Sequence, residues 1–141
     1  MGNTMNYSDV LNSLILILGD FWIHRALIDE LVQIVAKTGY EAKFFNLLLA
    51  RLKYLQEYGA KAIEYKEFEI LTDAKGLYSM HLSGTGFNVR ILYSFSPEQI
   101  PVLLVGFYKK SGKKKTDYTS FIPIAQQRLS EELEAHSNEQ K

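Results

Sequence analysis

Residues 76–115 constrain the fold more than any other part of the chain, because they contain three successive strand patterns. In residues 77–82 apolar and polar side chains alternate, and a period of two is typical of a strand with one buried face. Ser79 and His81 belong to the polar set, so we expect them to share the open face of a sheet. The apolar set is expected to face the core and comprises Tyr78, Met80 and Leu82.

Two further strands are predicted, each after a short turn. The first turn, residues 83–86, contains two glycines, which tolerate positive φ. Residues 87–95 then alternate again, with Asn88 and Arg90 on the polar face and Tyr93 on the apolar face. Residues 101–108 are apolar on both faces, as expected of a covered strand. The simplest prediction is a three-stranded antiparallel meander.

Positive charge is concentrated in this region. On the meander Arg90 and His81 lie on the same face of neighbouring strands, and the third strand runs into a lysine-rich loop. Between His81 and the end of that loop the only acidic residue is Glu98. The loop lysines are Lys109, Lys110, Lys113, Lys114 and Lys115.

Composition limits the possible functions. The 141 residues carry a formal net charge of zero, so nucleic-acid binding would need a local basic patch. The absence of cysteine excludes disulfides, thiolate zinc sites and a cysteine nucleophile. We find no HExxH or comparable metal motif and expect no metal and no cofactor. Residues 10–23 are apolar but too short for a membrane span of roughly 20 residues, and no basic signal segment precedes them. We therefore expect one cytoplasmic domain over residues 1–141 with no membrane partner.

Helices are predicted on either side of the meander. Spacing of aliphatic residues predicts helices over residues 26–37 and 41–58, joined near Gly39 as a helical hairpin. A charged connector, residues 61–72, has room for a short strand. A last helix is predicted over 121–134, with Pro123 in its first turn, followed by a disordered tail at 137–141. In residues 1–25 periodicity does not separate strand from helix, and we favour one edge strand within 14–24.

The chain contains, in order, a helix ending LKYLQEYGAKA and the stretches GLYSMHL, FNVRILYSF, VLLVGFYKKSGKK and IAQQRL. In content and order these resemble the RelE superfamily of toxin ribonucleases, most closely its HigB-like, phage-associated branch. The resemblance covers about residues 41–133. It implies an α+β, RelE-like fold: an N-terminal helical hairpin on a twisted antiparallel sheet of 3–5 strands, with a C-terminal helix.

The resemblance also implies a function and partners. It implies the toxin of a type II toxin–antitoxin system that enters the ribosomal A site and cleaves mRNA. It further implies a cognate antitoxin, commonly a helix-turn-helix protein encoded next to the toxin. Arg90 occupies the place of the family's strand arginine, Lys109 and Lys110 follow the last strand as its basic residues do, and Tyr118 occupies the place of a tyrosine near the final helix.

Metal-free RNA cleavage uses the 2′-hydroxyl as nucleophile and needs a base, an acid and cations for the charge that develops on phosphate. Arg90 suits phosphate because its planar fork can bind two oxygens. His81 titrates near neutrality and suits acid or base chemistry, with Tyr118 as a second proton carrier. Lys109 is predicted to assist at the phosphate, and the remaining lysines to contact RNA: Lys110, Lys113, Lys114 and Lys115.

Other interpretations stay open at the level of sequence. Arg90 could pair with a structural carboxylate, His81 could be structural, and the lysines could form a solvated loop. The family commonly has charged residues where this chain has Ser79 and His81. That departure favours an alternative, a non-catalytic RNA- or protein-binding module on the same fold. A third interpretation makes the apolar N-terminal segment a surface for homo-oligomers.

Overall fold

A computed structural model describes residues 4–110 and 116–139. The described residues form helices α1 to α4 and strands β1 to β5, with one 3₁₀ helix, Gly59–Glu64, after α3. The helices are Tyr7–Leu18 (α1), Arg25–Val35 (α2), Glu41–Tyr58 (α3) and Ile122–Glu139 (α4). The strands are Trp22–Ile23 (β1), Phe68–Ile70 (β2), Tyr78–Gly84 (β3), Phe87–Phe95 (β4) and Pro101–Tyr108 (β5).

The strands form one sheet in the order β1-β5-β4-β3-β2. Strands β3, β4 and β5 are antiparallel neighbours, which confirms the predicted meander. Strand β2 pairs antiparallel with β3, so the charged connector does contain a short strand. Strand β1 pairs parallel with β5 through Trp22 and Ile23. The predicted α+β fold, with helices packed on a sheet and a C-terminal helix, is confirmed, and the sheet is antiparallel except for β1.

The N-terminal segment differs from the prediction. Most of it is helix α1, and the expected edge strand is reduced to Trp22–Ile23. Asn6 caps the helix by accepting a hydrogen bond from the Asp9 backbone N–H at 2.8 Å. The buried residues recur at a spacing of four and are Val10, Leu14 and Leu18. Helix α1 packs against both α2 and α3, so the helical layer holds three helices where a two-helix hairpin was expected.

The meander is covered on both faces. Helices α1 to α3 cover one face, whose core includes Met80, Ile91 and Tyr93, as the alternation predicted. The other face was expected to be open, and this prediction is wrong. Ser79 is fully buried and Arg90 is only 6% exposed. The reason is a second apolar cluster, in which residues from α4 and the segment before it pack on the sheet.

The extent of helix α4 is a further difference from the prediction. The helix extends to Glu139, beyond the predicted end at 134, so residues 137–139 are helical where a disordered tail was expected. No glycine or proline follows Pro123 to stop it. The His136 ring stacks on Trp22 at 3.5 Å, which holds the late turns against β1. Near the start of α4, Phe121 stacks on Phe107 of β5 with ring centroids 3.8 Å apart.

An ion pair between α2 and α4 also binds the backbone of β5. It does so at Leu104 and Gly106, just after the residues of β5 that pair with β1. The two terminal nitrogens of Arg128, Nη1 and Nη2, donate to the two carboxylate oxygens of Glu30 at 2.8 Å. Arg128 also donates to the Leu104 carbonyl at 2.9 Å, and Glu30 accepts from the Gly106 backbone N–H at 3.1 Å. The ion pair therefore satisfies backbone groups that an uncovered sheet edge would leave unpaired.

None of the helices in the described residues is both long enough and apolar enough to span a membrane.

Candidate active site

The pairing of β3 with β4 places His81 directly opposite Arg90. Both side chains lie on the face that also carries Ser79, as the alternation predicted. The backbone of His81 is bound by other elements as well. Arg51 of α3 donates a hydrogen bond to its carbonyl at 3.0 Å. Its N–H donates to the carbonyl of Glu67 at 2.8 Å. The backbone of His81 is therefore fixed on β3, between Arg90 of β4 and the end of β2.

Tyr118 reaches this face from the segment before α4. Its hydroxyl donates to Oε1 of Glu69, and it lies 3.1 Å from Oγ of Ser79. Because the phenol has one proton and donates it to Glu69 in the free protein, the Ser79 hydroxyl is the donor in the second bond. The ring of Tyr118 packs edge-on against Phe107, with centroids 6.0 Å apart. The structure thus brings Tyr118 to the predicted polar face.

Glu69 is a residue of the site that sequence reasoning missed. It lies on β2, opposite Ser79 in the strand register. The same oxygen that accepts from Tyr118 lies 2.8 Å from Nε2 of His81, so Glu69 connects the two predicted proton carriers. A signal was present in the sequence, since Phe68 and Ile70 flank Glu69 with the alternation of a strand. Three residues are too few for that pattern to be distinctive.

Arg90 lies beneath the surface of this site. Its Nη1 donates to Oδ1 of Asn88 at 2.8 Å and lies 3.4 Å from both the Ser83 hydroxyl and the Val89 carbonyl. Its Nε is buried and has no hydrogen-bond partner among the described residues. Within the same residues Arg90 forms no ion pair with a carboxylate, in contrast to the structural interpretation that the sequence left open. A buried cation whose partners are neutral is suited to an anionic ligand.

The charges of the site shift the ionisation of its members. Burial alone would raise the pKa of the Glu69 carboxyl, but the hydrogen bonds from Tyr118 and His81 outweigh it and hold that pKa below its ordinary value. Burial lowers the pKa of His81, and the charge of Arg90 adds to this effect against the opposing pull of Glu69. Burial, with the bond to Glu69, raises the pKa of Tyr118 to about 12. At neutral pH the network therefore holds an ionised carboxylate, a neutral imidazole and a neutral phenol.

A comparison with known protein families adds to this geometry. Residues 40–130 match the family model of the phage-derived Gp49-like proteins. The chain belongs to the Gp49-like family. That family is part of the clan of RelE- and HigB-like toxins, so the predicted relation to a phage-associated toxin family is confirmed. Assignment to the HigB branch in particular stays a prediction. No curated protein matches the chain.

The matched range of this Gp49-like protein includes the whole network, from Glu69 through His81 and Arg90 to Tyr118. It also includes Lys109, whose N–H donates to the carbonyl of Asn88 at 2.8 Å and so extends the pairing of β4 with β5.

The predicted lysines are placed only in part. Phe107 of β5 pairs with Arg90, and Lys109 follows directly after the end of that strand. Together with Lys110 it lines a cavity of about 230 Å³, which Thr116 and Ser120 also line. This cavity adjoins the segment that carries Tyr118. Three of the predicted RNA-binding residues lie outside the described residues, namely Lys113, Lys114 and Lys115.

Among the described residues of the Gp49-like protein, no group of three or more His, Asp or Glu side chains is arranged to hold a metal ion. The expectation that the chain uses no metal or cofactor stays a prediction. The candidate site thus comprises one buried cation and three groups that can hold or move protons, and Lys109 and Lys110 line the adjoining cavity.

Proposed function

We infer that this Gp49-like protein is the toxin of a type II toxin–antitoxin system and acts as a ribosome-dependent mRNA endoribonuclease in the cytoplasm. The observation that carries the proposal is the position of Arg90. It is a buried cation without a carboxylate partner among the described residues, directly opposite His81 in the strand register. Membership of a family related to RelE- and HigB-like toxins supports the same function.

The proposed reaction is attack of a ribose 2′-hydroxyl on its own 3′-phosphate, without a metal ion. Arg90 and Lys109 stabilise the negative charge that develops on the phosphorus oxygens. His81 and Tyr118 move protons: Glu69 binds both side chains, and Ser79 binds Tyr118 as well. Lys110 binds the RNA backbone at the rim, and we propose the same role for Lys113, Lys114 and Lys115.

The environment of Arg90 bears on how substrate enters. In the free protein its Nη1 is engaged by Asn88, Ser83 and Val89. A phosphate would have to compete with these neutral acceptors, which bind a guanidinium less strongly than an anion does. We propose that mRNA held in the ribosomal A site supplies the geometry for this exchange. The free protein is then expected to cleave isolated RNA poorly.

Two partners follow from the proposal. The first is mRNA on the ribosome, and the second is an antitoxin that neutralises the toxin. The relation to toxin families supports an antitoxin in general. We propose a helix-turn-helix protein encoded next to the toxin gene.

The test is induced expression of the wild-type protein beside Arg90→Ala, with growth recorded and cellular mRNA mapped by primer extension. We expect growth arrest and new 5′ ends inside translated frames for the wild type, and neither for the variant. Because Arg90 is buried, Tyr118→Phe is included as a variant that removes only a hydroxyl. We expect it to reduce cleavage by at least about 100-fold, the lower end of the range for loss of a proton-transfer group. The matched control is Arg25→Ala, which removes an exposed arginine of α2.

The alternative is a non-catalytic RNA- or protein-binding module, and one observation favours it. Ser79, at a position where the family commonly carries charge, is fully buried and bonded to Tyr118. In that case the wild type would be expressed well, cause no arrest and produce no new mRNA ends. This outcome would remove the nuclease proposal.

A further inference from the structure

Glu69 occupies a special position, because one of its oxygens accepts hydrogen bonds from two different elements. Oε1 lies 2.8 Å from Nε2 of His81 on β3 and accepts from the Tyr118 hydroxyl, which precedes α4. The backbone fixes this arrangement. Glu69 pairs with Ser79 in the register of β2 and β3, and the His81 N–H donates to the Glu67 carbonyl at 2.8 Å. The relative positions of the Glu69 carboxylate and the His81 ring are therefore set by strand pairing.

The protonation states follow from these contacts. An ionised carboxylate can only accept hydrogen bonds, so Nε2 of His81 must carry the proton in the bond to Glu69. A neutral imidazole has one N–H, and its other nitrogen, Nδ1, then holds a lone pair. Nδ1 of His81 has no hydrogen-bond partner among the described residues and is not one of their buried unpaired atoms. It is thus the nitrogen open to an incoming hydroxyl group.

Three other charged or titratable groups among the described residues bear on His81 or its network, namely Arg90, Glu67 and Tyr118. Arg90 lies opposite on β4 and disfavours the protonated ring. Glu67 favours the protonated ring at longer range. The carboxylate of Glu67 lies 3.6 Å from the guanidinium of Arg51 on α3, which offsets the negative charge of Glu67. The phenol of Tyr118 stays protonated near pH 7 and carries no charge. Glu69 is therefore the one of these groups that binds the ring directly.

We propose that Glu69 is a positioning residue that holds His81 in the tautomer whose Nδ1 takes the proton of the attacking 2′-hydroxyl. This inference rests on the proposed ribonuclease function. The 2′-oxygen forms a bond to phosphorus as its proton passes to Nδ1, and the bond from phosphorus to the 5′-oxygen breaks. The leaving oxygen takes the proton of Tyr118, and water reprotonates the phenolate. The imidazolium returns its proton to water, so the products are a 2′,3′-cyclic phosphate and a 5′-hydroxyl.

Two consequences distinguish this role from a structural one. The carboxylate stabilises the imidazolium that forms during the reaction, so its loss slows the chemical step. The carboxylate also raises the pKa of His81 against the effects of burial and Arg90. Without it the pKa of His81 falls further, and the acidic limb of the pH–rate profile moves to lower pH. A loss of packing alone would lower activity without moving that limb.

The experiment measures single-turnover cleavage of mRNA on programmed ribosomes over a range of pH for the wild type and Glu69→Gln. We expect the plateau rate to fall at least about tenfold and the acidic limb to shift to lower pH. The matched control is Glu131→Gln, which removes a carboxylate 3.0 Å from His24 in a second His–Glu pair of the chain. This control should retain the wild-type rate and profile. Urea unfolding of each variant checks that it is folded.

A measurement independent of cleavage reads the tautomer directly. Long-range ¹H–¹⁵N spectra of the wild type distinguish the two ring nitrogens, and the chain has only three histidines. The His81 signals are identified by their loss in His81→Gln. We expect a neutral ring with its proton on Nε2 at about pH 7.5. A proton on Nδ1, or a charged ring, would overturn the inference.

The failures of the two proposals are distinguishable. Suppose that the wild type cuts mRNA and that Glu69→Gln either cuts equally fast or cuts more slowly with an unshifted acidic limb of its pH–rate profile. The proposed role of Glu69 is then wrong, and the proposed ribonuclease function is retained. If the wild type makes no cuts on ribosomes, the proposed function fails and the role of Glu69 fails with it.

Discussion

The ion pair between Arg128 and Glu30 gives the sharpest prediction on stability. The change is Arg128→Met, which keeps an unbranched aliphatic side chain on α4 and removes the guanidinium. It breaks both bonds to the Glu30 carboxylate and the bond to the Leu104 carbonyl. Among the described residues, Glu30 would keep only the backbone N–H of Gly106 as a partner. The variant thus removes two hydrogen-bond donors from the partly buried carboxylate of Glu30 and one from the carbonyl of Leu104.

Exposure of the pair sets the expected magnitude. The side chains of Arg128 and Glu30 are 15% and 29% exposed, so the pair lies between the buried and the surface class. Breaking a buried pair costs about 3–5 kcal/mol, whereas an exposed pair contributes about 0–1 kcal/mol. We therefore expect the free energy of unfolding to fall by about 2–4 kcal/mol. At about 4 °C per kcal/mol for a domain of this size, the Tm should fall by roughly 8–16 °C.

The assay is urea unfolding at equilibrium, with thermal unfolding as a second measure. Glu131→Gln is the matched control, because Glu131 pairs with His24 at 3.0 Å but is 52% exposed. Its loss should be below about 1 kcal/mol. The cycle of Arg128→Met, Glu30→Gln and the double variant should give a coupling of at least about 1 kcal/mol. The reasoning is refuted if Arg128→Met loses no more stability than the control.

Two further predictions concern a glycine and the pH dependence of stability. In Gly86→Ala a Cβ at φ +85° would lie 2.1 Å from the Tyr40 ring, so we expect a loss of about 1–3 kcal/mol in urea unfolding. Gly76→Ala has a similar φ of +84° with nothing within 4 Å and should lose less; equal losses would contradict the steric argument. His81 has a folded pKa below its ordinary 6.5, so the unfolded chain binds more protons between those two values. Stability should therefore fall as pH drops through 6.5 towards the folded pKa, and His81→Gln should flatten this slope in urea unfolding measured between about pH 7.5 and 5.5. An unchanged slope in the variant would show that His81 is not the cause.

Sequence patterns predicted the parts of the protein whose structure depends on local periodicity. Alternation placed Tyr93 in the core and His81 beside Arg90, and the register of β3 and β4 confirms both. The aliphatic stripe and Gly59 predicted α3 as Glu41–Tyr58, the range that the structure has. Periodicity was weakest in α1. Leu16 is apolar but lies on the exposed face, where it is 83% exposed, so the apolar residues of α1 do not form a single stripe in the sequence. The better signal there was Asn6, a helix-capping residue three positions before Asp9.

The sequence predicted several residues of the candidate site but not the contacts between them. The sequence determined that His81 and Arg90 share one face, because side-chain direction in a strand follows from position alone. It did not determine that Tyr118 and Glu69 meet there, since they come from separate elements 49 residues apart. Nor did it show that Ser79 is buried, because the covering segment is brought there by apolar contacts such as the Phe107–Phe121 stack. Local periodicity fixes which way a side chain points, whereas long-range packing of one element on another decides what it contacts.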